Sequence, residues 1–189
     1  MVKCLRYIGI AAYSGEPPAK LVEAAREFIK LLSSRVNPKE VAVIVGGYWG
    51  LMRVIVDEAL TYGFNVLIIP PLEQERIRFP EGAIVVRTGT SFRVRSVFLV
   101  RSSEVLVIMG GGAGSMQEAV TAYTEGVPTV LLTGFDMPSD KLAALAPYLD
   151  ERRLAEVKVV RNPGEAVNYV VSILSGGKVS VNGELRTRD

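Results

Sequence analysis

"VLVIMGGGAGSMQEAV", residues 105–120, is the stretch on which the fold turns. An unbroken apolar run reaches Met109, and four glycines fall within five positions (Gly110, Gly111, Gly112 and Gly114). A helix-like pattern then begins at Ser115. A short apolar run closed by glycines reads as a buried strand, and the amphipathic run behind it as the helix that follows. Glycine at such a junction has two uses. It allows a tight turn with close helix–strand packing. It also lets a phosphate reach the free N–H groups and partial positive charge of a helix start.

The same unit recurs in both directions along the chain. Strands are predicted at "CLRYIGIAA" (4–12), "EVAVIVGG" (40–47), "NVLIIPP" (65–71), "AIVVRTG" (83–89), "VPTVLLTG" (127–134) and "EVKVV" (156–160). Helices are predicted at 17–34, 50–63, 91–101, 115–126, 140–149 and 162–176. In the first of these, Leu21, Ala24, Ala25, Phe28, Ile29 and Leu32 share one face. Continuous apolar strands alternating with amphipathic helices imply an α/β fold. The expected form is a Rossmann-like, doubly wound, mainly parallel sheet with helices on both faces. Right-handed crossovers then bring every strand-to-helix loop to one edge of the sheet. Residues 1–176 read as a single nucleotide- or phosphate-binding domain. Residues 177–189 read as a C-terminal tail, with Asn182-Gly183 at the turn of a short hairpin.

Composition excludes several chemistries. The 189 residues contain no histidine, which removes Ser-His-Asp and Cys-His nucleophiles and most zinc sites; no metal site is expected. Cys4 is the only cysteine, so no internal disulfide can form, and a cytoplasmic location is expected. A formal charge of +2 gives no ground for nucleic acid as a partner. No apolar stretch approaches the roughly 18 residues of a membrane span, and the N-terminal run lacks a cleavage pattern.

Three strand-to-helix loops hold the candidate site: "AAYSGEPP" (11–18), "VGGYWGLM" (45–52) and "MGGGAGSMQE" (109–118). The residues read as binding a phosphorylated small molecule are Ser14, Gly15, Gly46, Gly47, Gly50, Gly111, Gly112, Ala113, Gly114 and Ser115. Neither strongly glycine-rich loop is the G-x-G-x-x-G dinucleotide fingerprint or the lysine-bearing P-loop. Tyr13, Tyr48 and Trp49 either stack on a base or simply pack within their loops. "FDMPSD" (135–140) reads as a connection that borders the site.

Glu118 has two readings. "SMQE" is a capping box, in which Ser115 and Glu118 satisfy each other's backbone N–H groups. Alternatively, Glu118 acts as a base or offsets positive charge beside a bound phosphate. On a helix, Arg95 shares a side with Phe92 and Leu99, so it is held near the body of the protein. A buried arginine there needs an anionic partner, either Glu118 or a ligand phosphate. Arg93 and Arg101 read as solvated charges.

The segment "RVRSVFLVRSSEVLVIMGGGAGSMQEAVTAYTEGVPTVLL" resembles the LONELY GUY, or "lysine-decarboxylase-like", family. Its pattern is a helical Arg, a strand, then P-G-G-x-G-T-x-x-E. Gly111, Gly112, Gly114 and Glu118 match, Ser115 stands for Thr, Gly110 for Pro, and the helical Arg falls on Arg95. "YSG" (13–15) and "GGYWGLM" (46–52) are similar to the family's other ligand loops. "YLDERR" (148–153) further resembles a branch that includes molybdenum-cofactor carrier proteins. The resemblance implies a Rossmann-like fold and a homodimer or higher oligomer. It also implies cleavage of nucleoside 5'-monophosphates into base and ribose 5-phosphate, with Arg95 and Glu118 as catalytic residues and no cofactor required. The carrier branch implies instead a non-catalytic protein for a bound nucleotide or phosphorylated cofactor, such as molybdenum cofactor. The family's Arg-Lys pair is Arg95-Ser96 here, one cation short. Pyridoxal-phosphate decarboxylation is disfavoured, because no lysine lies in a glycine loop.

Overall fold

Val41–Val45 (β2, VAVIV) and Val105–Met109 (β5, VLVIM) are buried at every position. Only strands covered on both faces tolerate that pattern. The computed structural model describes residues 5–176 and places both beside Arg6–Ala12 (β1) at the middle of one parallel sheet. Asn65–Ile68 (β3) and the short edge strand Ala83–Val85 (β4) extend it beyond β2. Thr129–Leu132 (β6) and Val157–Val160 (β7) extend it beyond β5. The order is β4-β3-β2-β1-β5-β6-β7, the Rossmann-like arrangement expected. The hairpin expected at 177–189 and Cys4 lie outside the described residues.

Helices fill both faces. Ala19–Ser33 (α1), Gly50–Thr61 (α2) and Pro163–Leu174 (α5) pack on one side. Phe92–Arg101 (α3) and Ala113–Thr124 (α4) pack on the other. The alternation of strand side chains divides the core accordingly. Val43, Val45, Val105 and Val107 join Phe28, Ile29 and Ile55, whereas Ile44, Leu106 and Ile108 join Leu99, Val100, Ala119 and Ala122. The six apolar positions of the first predicted helix are all buried.

One expected helix forms differently. Residues 140–149 do not make an α-helix; a 3-10 segment spans Pro138–Leu145. Pro147 drives Ala146 into an extended conformation, as proline does to its predecessor, and the turn stops there. The chain is then fastened to α4 by Asp150. Its carboxylate accepts hydrogen bonds from the Tyr123 hydroxyl and the Arg152 guanidinium. Among the described residues no helix is long and apolar enough to cross a membrane.

Strand order reverses at β1. The chain winds outward through β2, β3 and β4, and α3 then carries it back across to β5. The loops leaving β1 and β5 therefore diverge, and a crevice opens between them at the carboxyl edge of the sheet, where such folds take ligands.

The Asp150 fastening makes stability acid-sensitive. Hydrogen bonds from Arg152 and Tyr123 hold its carboxyl at about 2, below its ordinary 3.8. A depressed folded value contributes stability above the ordinary value and loses it as pH falls toward the folded one. Between pH 4 and pH 2, melting temperature should fall more steeply in the wild type than in Asp150→Asn.

Candidate functional site

The crevice holds a cavity of about 510 Å³. Tyr13 and Ser14 enter it from the loop after β1, Gly46 and Trp49 from the loop after β2, and Phe92, Arg93, Arg95 and Ser96 from α3. Gly111, Gly112, Ala113, Gly114, Ser115, Gln117 and Glu118 complete it from the β5–α4 junction. Gly15, Gly47 and Gly50, also expected at the ligand, do not line it.

The glycines divide into two kinds. Around the second loop, the chain itself occupies the space they leave. A Cβ on Gly46 would run into the Arg95 guanidinium, and one on Gly47 into the Trp49 ring. Gly50 has φ +53° and lies so close to the first loop that its Cβ would sit 2.6 Å from the Tyr13 carbonyl oxygen. That carbonyl also accepts from Leu51 N–H, so the start of α2 is already engaged. These glycines are packing glycines. At the β5–α4 junction, Gly111 has φ +120° and receives the Ser115 side chain, but a Cβ on Gly112 or Gly114 would meet nothing within 4 Å. There the space is open.

The capping box does not form. α4 begins at Ala113 with Gly112 as its N-cap, so Ser115 and Glu118 lie inside the helix, and no side chain caps it. The first N–H groups of a helix have no partner within it. The residues at the start of α4, Gly112 to Ser115, line the cavity. The neighbouring connection braces this turn: Ser139 N–H donates to the Gly111 carbonyl at 3.0 Å, and Met137 packs beside Gly110.

With the cap absent, Glu118 turns toward α3. Its Oε1 accepts from Arg95 Nη1 at 3.1 Å and lies 2.8 Å from the Ser96 hydroxyl. Arg95 is 7 % exposed and Glu118 5 %. Burial pulls the Arg95 guanidinium below its ordinary value and pushes the Glu118 carboxyl up. Their mutual attraction opposes both shifts, and the Ser96 hydrogen bond also steadies the ionised carboxylate. Two atoms stay uncommitted. Arg95 Nε is buried without an acceptor among the described residues. Glu118 Oε2 takes no hydrogen bond from the described residues, and its residue lines the cavity.

Sequence reasoning missed Ser96, which entered as the site of a missing lysine. Its one-turn offset from Phe92, whose carbonyl its hydroxyl also approaches at 3.1 Å, was the available signal. Arg93, expected to be solvated, is exposed, yet it lines the cavity and its carbonyl accepts from the Gln117 amide. Arg101 is a surface charge, 3.0 Å from Glu125. Among the described residues, no group of three or more carboxylate or cysteine side chains is arranged to hold a metal ion.

Gly46 should therefore tolerate no side chain. Gly46→Ala is expected to cost about 1–3 kcal/mol by displacing the guanidinium from a packed position, read from chemical denaturation. A wild-type midpoint would remove this account of Gly46.

Residues 6–167 match the SLOG cluster4 family. The backbone is similar to that of TM1055, a structural genomics target, with a TM-score of 0.78 and 27 % identity over 88 % of this chain and 98 % of that one. It is also similar to the molybdenum cofactor binding protein of Rippkaea orientalis (TM-score 0.73, 20 % identity, 90 % and 98 % of the two chains). The molybdenum cofactor carrier protein of Chlamydomonas reinhardtii is a further neighbour (0.69, 22 %, 90 % and 99 %). At these identities the last two share the fold. The chain, matched over residues 6–167, belongs to the SLOG cluster4 family.

Proposed function

We propose that this protein binds a phosphorylated, nucleotide-like ligand and serves as its carrier. One observation bears most of the weight: the uncapped start of α4 opens, across the bare backbone of Gly112 and Gly114, into the cavity at the strand-order reversal. Free N–H groups and the helix dipole favour a dianion there. Ser14 and Ser115 line the same cavity and supply hydroxyl donors. The Arg95 guanidinium, on a residue that lines the cavity, adds positive charge beside it.

Likeness to proteins that bind molybdenum cofactor makes that compound, a phosphate-bearing pterin, the first cargo to try. The residues suit its phosphate for the reasons just given. A second reading follows from Glu118 Oε2. A carboxylate oxygen with no partner among the described residues, on a residue that lines the proposed phosphate site, would offset the positive charge that develops on ribose as an N-glycosidic bond breaks. Arg95 and Ser96 would then act as positioning residues, holding Oε1.

Two measurements test these readings. Gly114→Ala adds a methyl to a helix where the chain has room for it, so stability should hold or rise by about 0.5–1 kcal/mol. Affinity for phosphorylated ligands should nevertheless fall about tenfold, because the methyl enters the anion's space. Unchanged affinity by calorimetry would remove the phosphate from α4. For the hydrolase reading, free base released from AMP and other nucleoside monophosphates is compared between wild type and Glu118→Gln. Because burial raises the Glu118 carboxyl, its ionised form is gained only above the ordinary carboxylate range. Any wild-type release should therefore increase with pH through that raised value and be lost in the variant. Binding without release by either protein selects the carrier.

A further inference from the structure

A second cavity, of about 450 Å³, lies between the first half of α2 and the connection from β3 to β4. Tyr48 and Arg53 line it from one side, and Ile77, Arg78, Phe79 and Pro80 from the other. It shares no lining residue with the cavity at the start of α4; the loop after β2 gives Trp49 to that cavity and Tyr48 to this one. Two arginines line it and no carboxylate does. We propose that it is a separate binding site for a small organic anion. Arg53 and Arg78 take the carboxylate or phosphate, and the apolar body lies against Tyr48, Ile77 and Phe79. This does not depend on what binds at α4.

Arg53 is oriented before any ligand arrives. Its guanidinium carbon lies 5.6 Å from the centroid of the Tyr48 ring, a cation–π contact. The Tyr48 hydroxyl donates to Asp57 Oδ1 at 2.7 Å, and Asp57 Oδ2 lies 3.8 Å from Arg53 Nε. That ion pair is too long for a hydrogen bond and at least half exposed on both sides, so it holds little of the arginine's charge. The terminal nitrogens of the planar fork suit an oxyanion. Arg78 makes no hydrogen bond or ion pair among the described residues, and its neighbours in the wall are apolar. The wall itself is fixed. Leu72 N–H donates to the Thr90 carbonyl at 2.8 Å, Gly89 N–H to Glu75 Oε1 at 2.7 Å, and Phe79 packs on the core. The carboxylate of Glu75 is thereby engaged elsewhere, and Glu73 and Glu81 do not line the cavity. An inorganic ion would leave the apolar wall unused.

The test is an amide NMR titration of the labelled protein with phenyl phosphate, benzoate and inorganic phosphate. At least one aromatic anion should shift the amides of Ile77, Arg78 and Phe79 saturably, with affinity about tenfold above that of inorganic phosphate at the same amides. A response to phenyl phosphate alone assigns the site to phosphates, and one to benzoate alone to carboxylates. Arg53→Gln and Arg78→Gln, both at exposed positions, should each weaken these shifts about tenfold. Gly114→Ala should leave them unchanged, whatever it does to binding at α4. No shift at 77–79 with any probe, equal affinity for inorganic phosphate, or shifts that persist in both arginine variants overturns the proposal. Shifts at Gly112 to Ser115 report on the α4 reading separately.

Discussion

Arg95 and Glu118 meet where α3, α4 and the loop after β2 converge, and the rest of the site is arranged around their pairing. Taking a guanidinium and a carboxylate out of water costs several kcal/mol per ion, and only close mutual contact with further hydrogen bonds offsets it. Ser96 supplies one such bond at 2.8 Å. Gly46 supplies the room, since any side chain there would displace the guanidinium. Glu118 can take part only because it is not spent on a cap, which leaves the first N–H groups of α4 open. The ion pair and the uncapped helix start are thus two consequences of where α4 begins.

The pair also divides labour within the cavity. Oε1 of Glu118 is committed to Arg95 and Ser96, and Oε2 is not. A carboxylate held by one oxygen is fixed in orientation and still able to act through the other. That arrangement serves a carrier, where it can accept a hydroxyl of the ligand, and it serves a hydrolase, where it can face a developing charge. The geometry is common to both readings, and the chemistry of the ligand separates them.

Much of the fold was legible in the linear pattern. Runs such as VAVIV and VLVIM, short, β-branched and closed by glycine, read as central parallel strands and are, and each of the long amphipathic runs became a helix. The exception is residues 140–149, where the apolar spacing is helical but Pro147 disfavours a helical Ala146 and the segment closes as a 3-10 turn at Leu145. The site was partly legible. The helical spacing puts Arg95 on the inward side of its helix, and it is buried there; of the two partners the sequence allowed, the chain supplies Glu118. Ser96 was missed because its local signal, the one-turn offset from Phe92, does not point to Glu118 across the helix pair.

By itself, the sequence determined the α/β alternation, the edge on which the loops gather and the absence of histidine chemistry, because these follow from periodicity, chain direction and composition. It could not assign work to the glycines. Glycine records only that something must come close, and what comes close is decided by the assembled chain. Tertiary structure filled the space before Gly46 with Arg95, before Gly47 with Trp49 and before Gly50 with the first loop. It left Gly112 and Gly114 bare. It likewise decided between two local partners for Glu118. The capping box was available in four residues, but α4 starts two residues before Ser115, and the buried guanidinium of Arg95, 23 positions away, required a counter-charge that no local bond could supply.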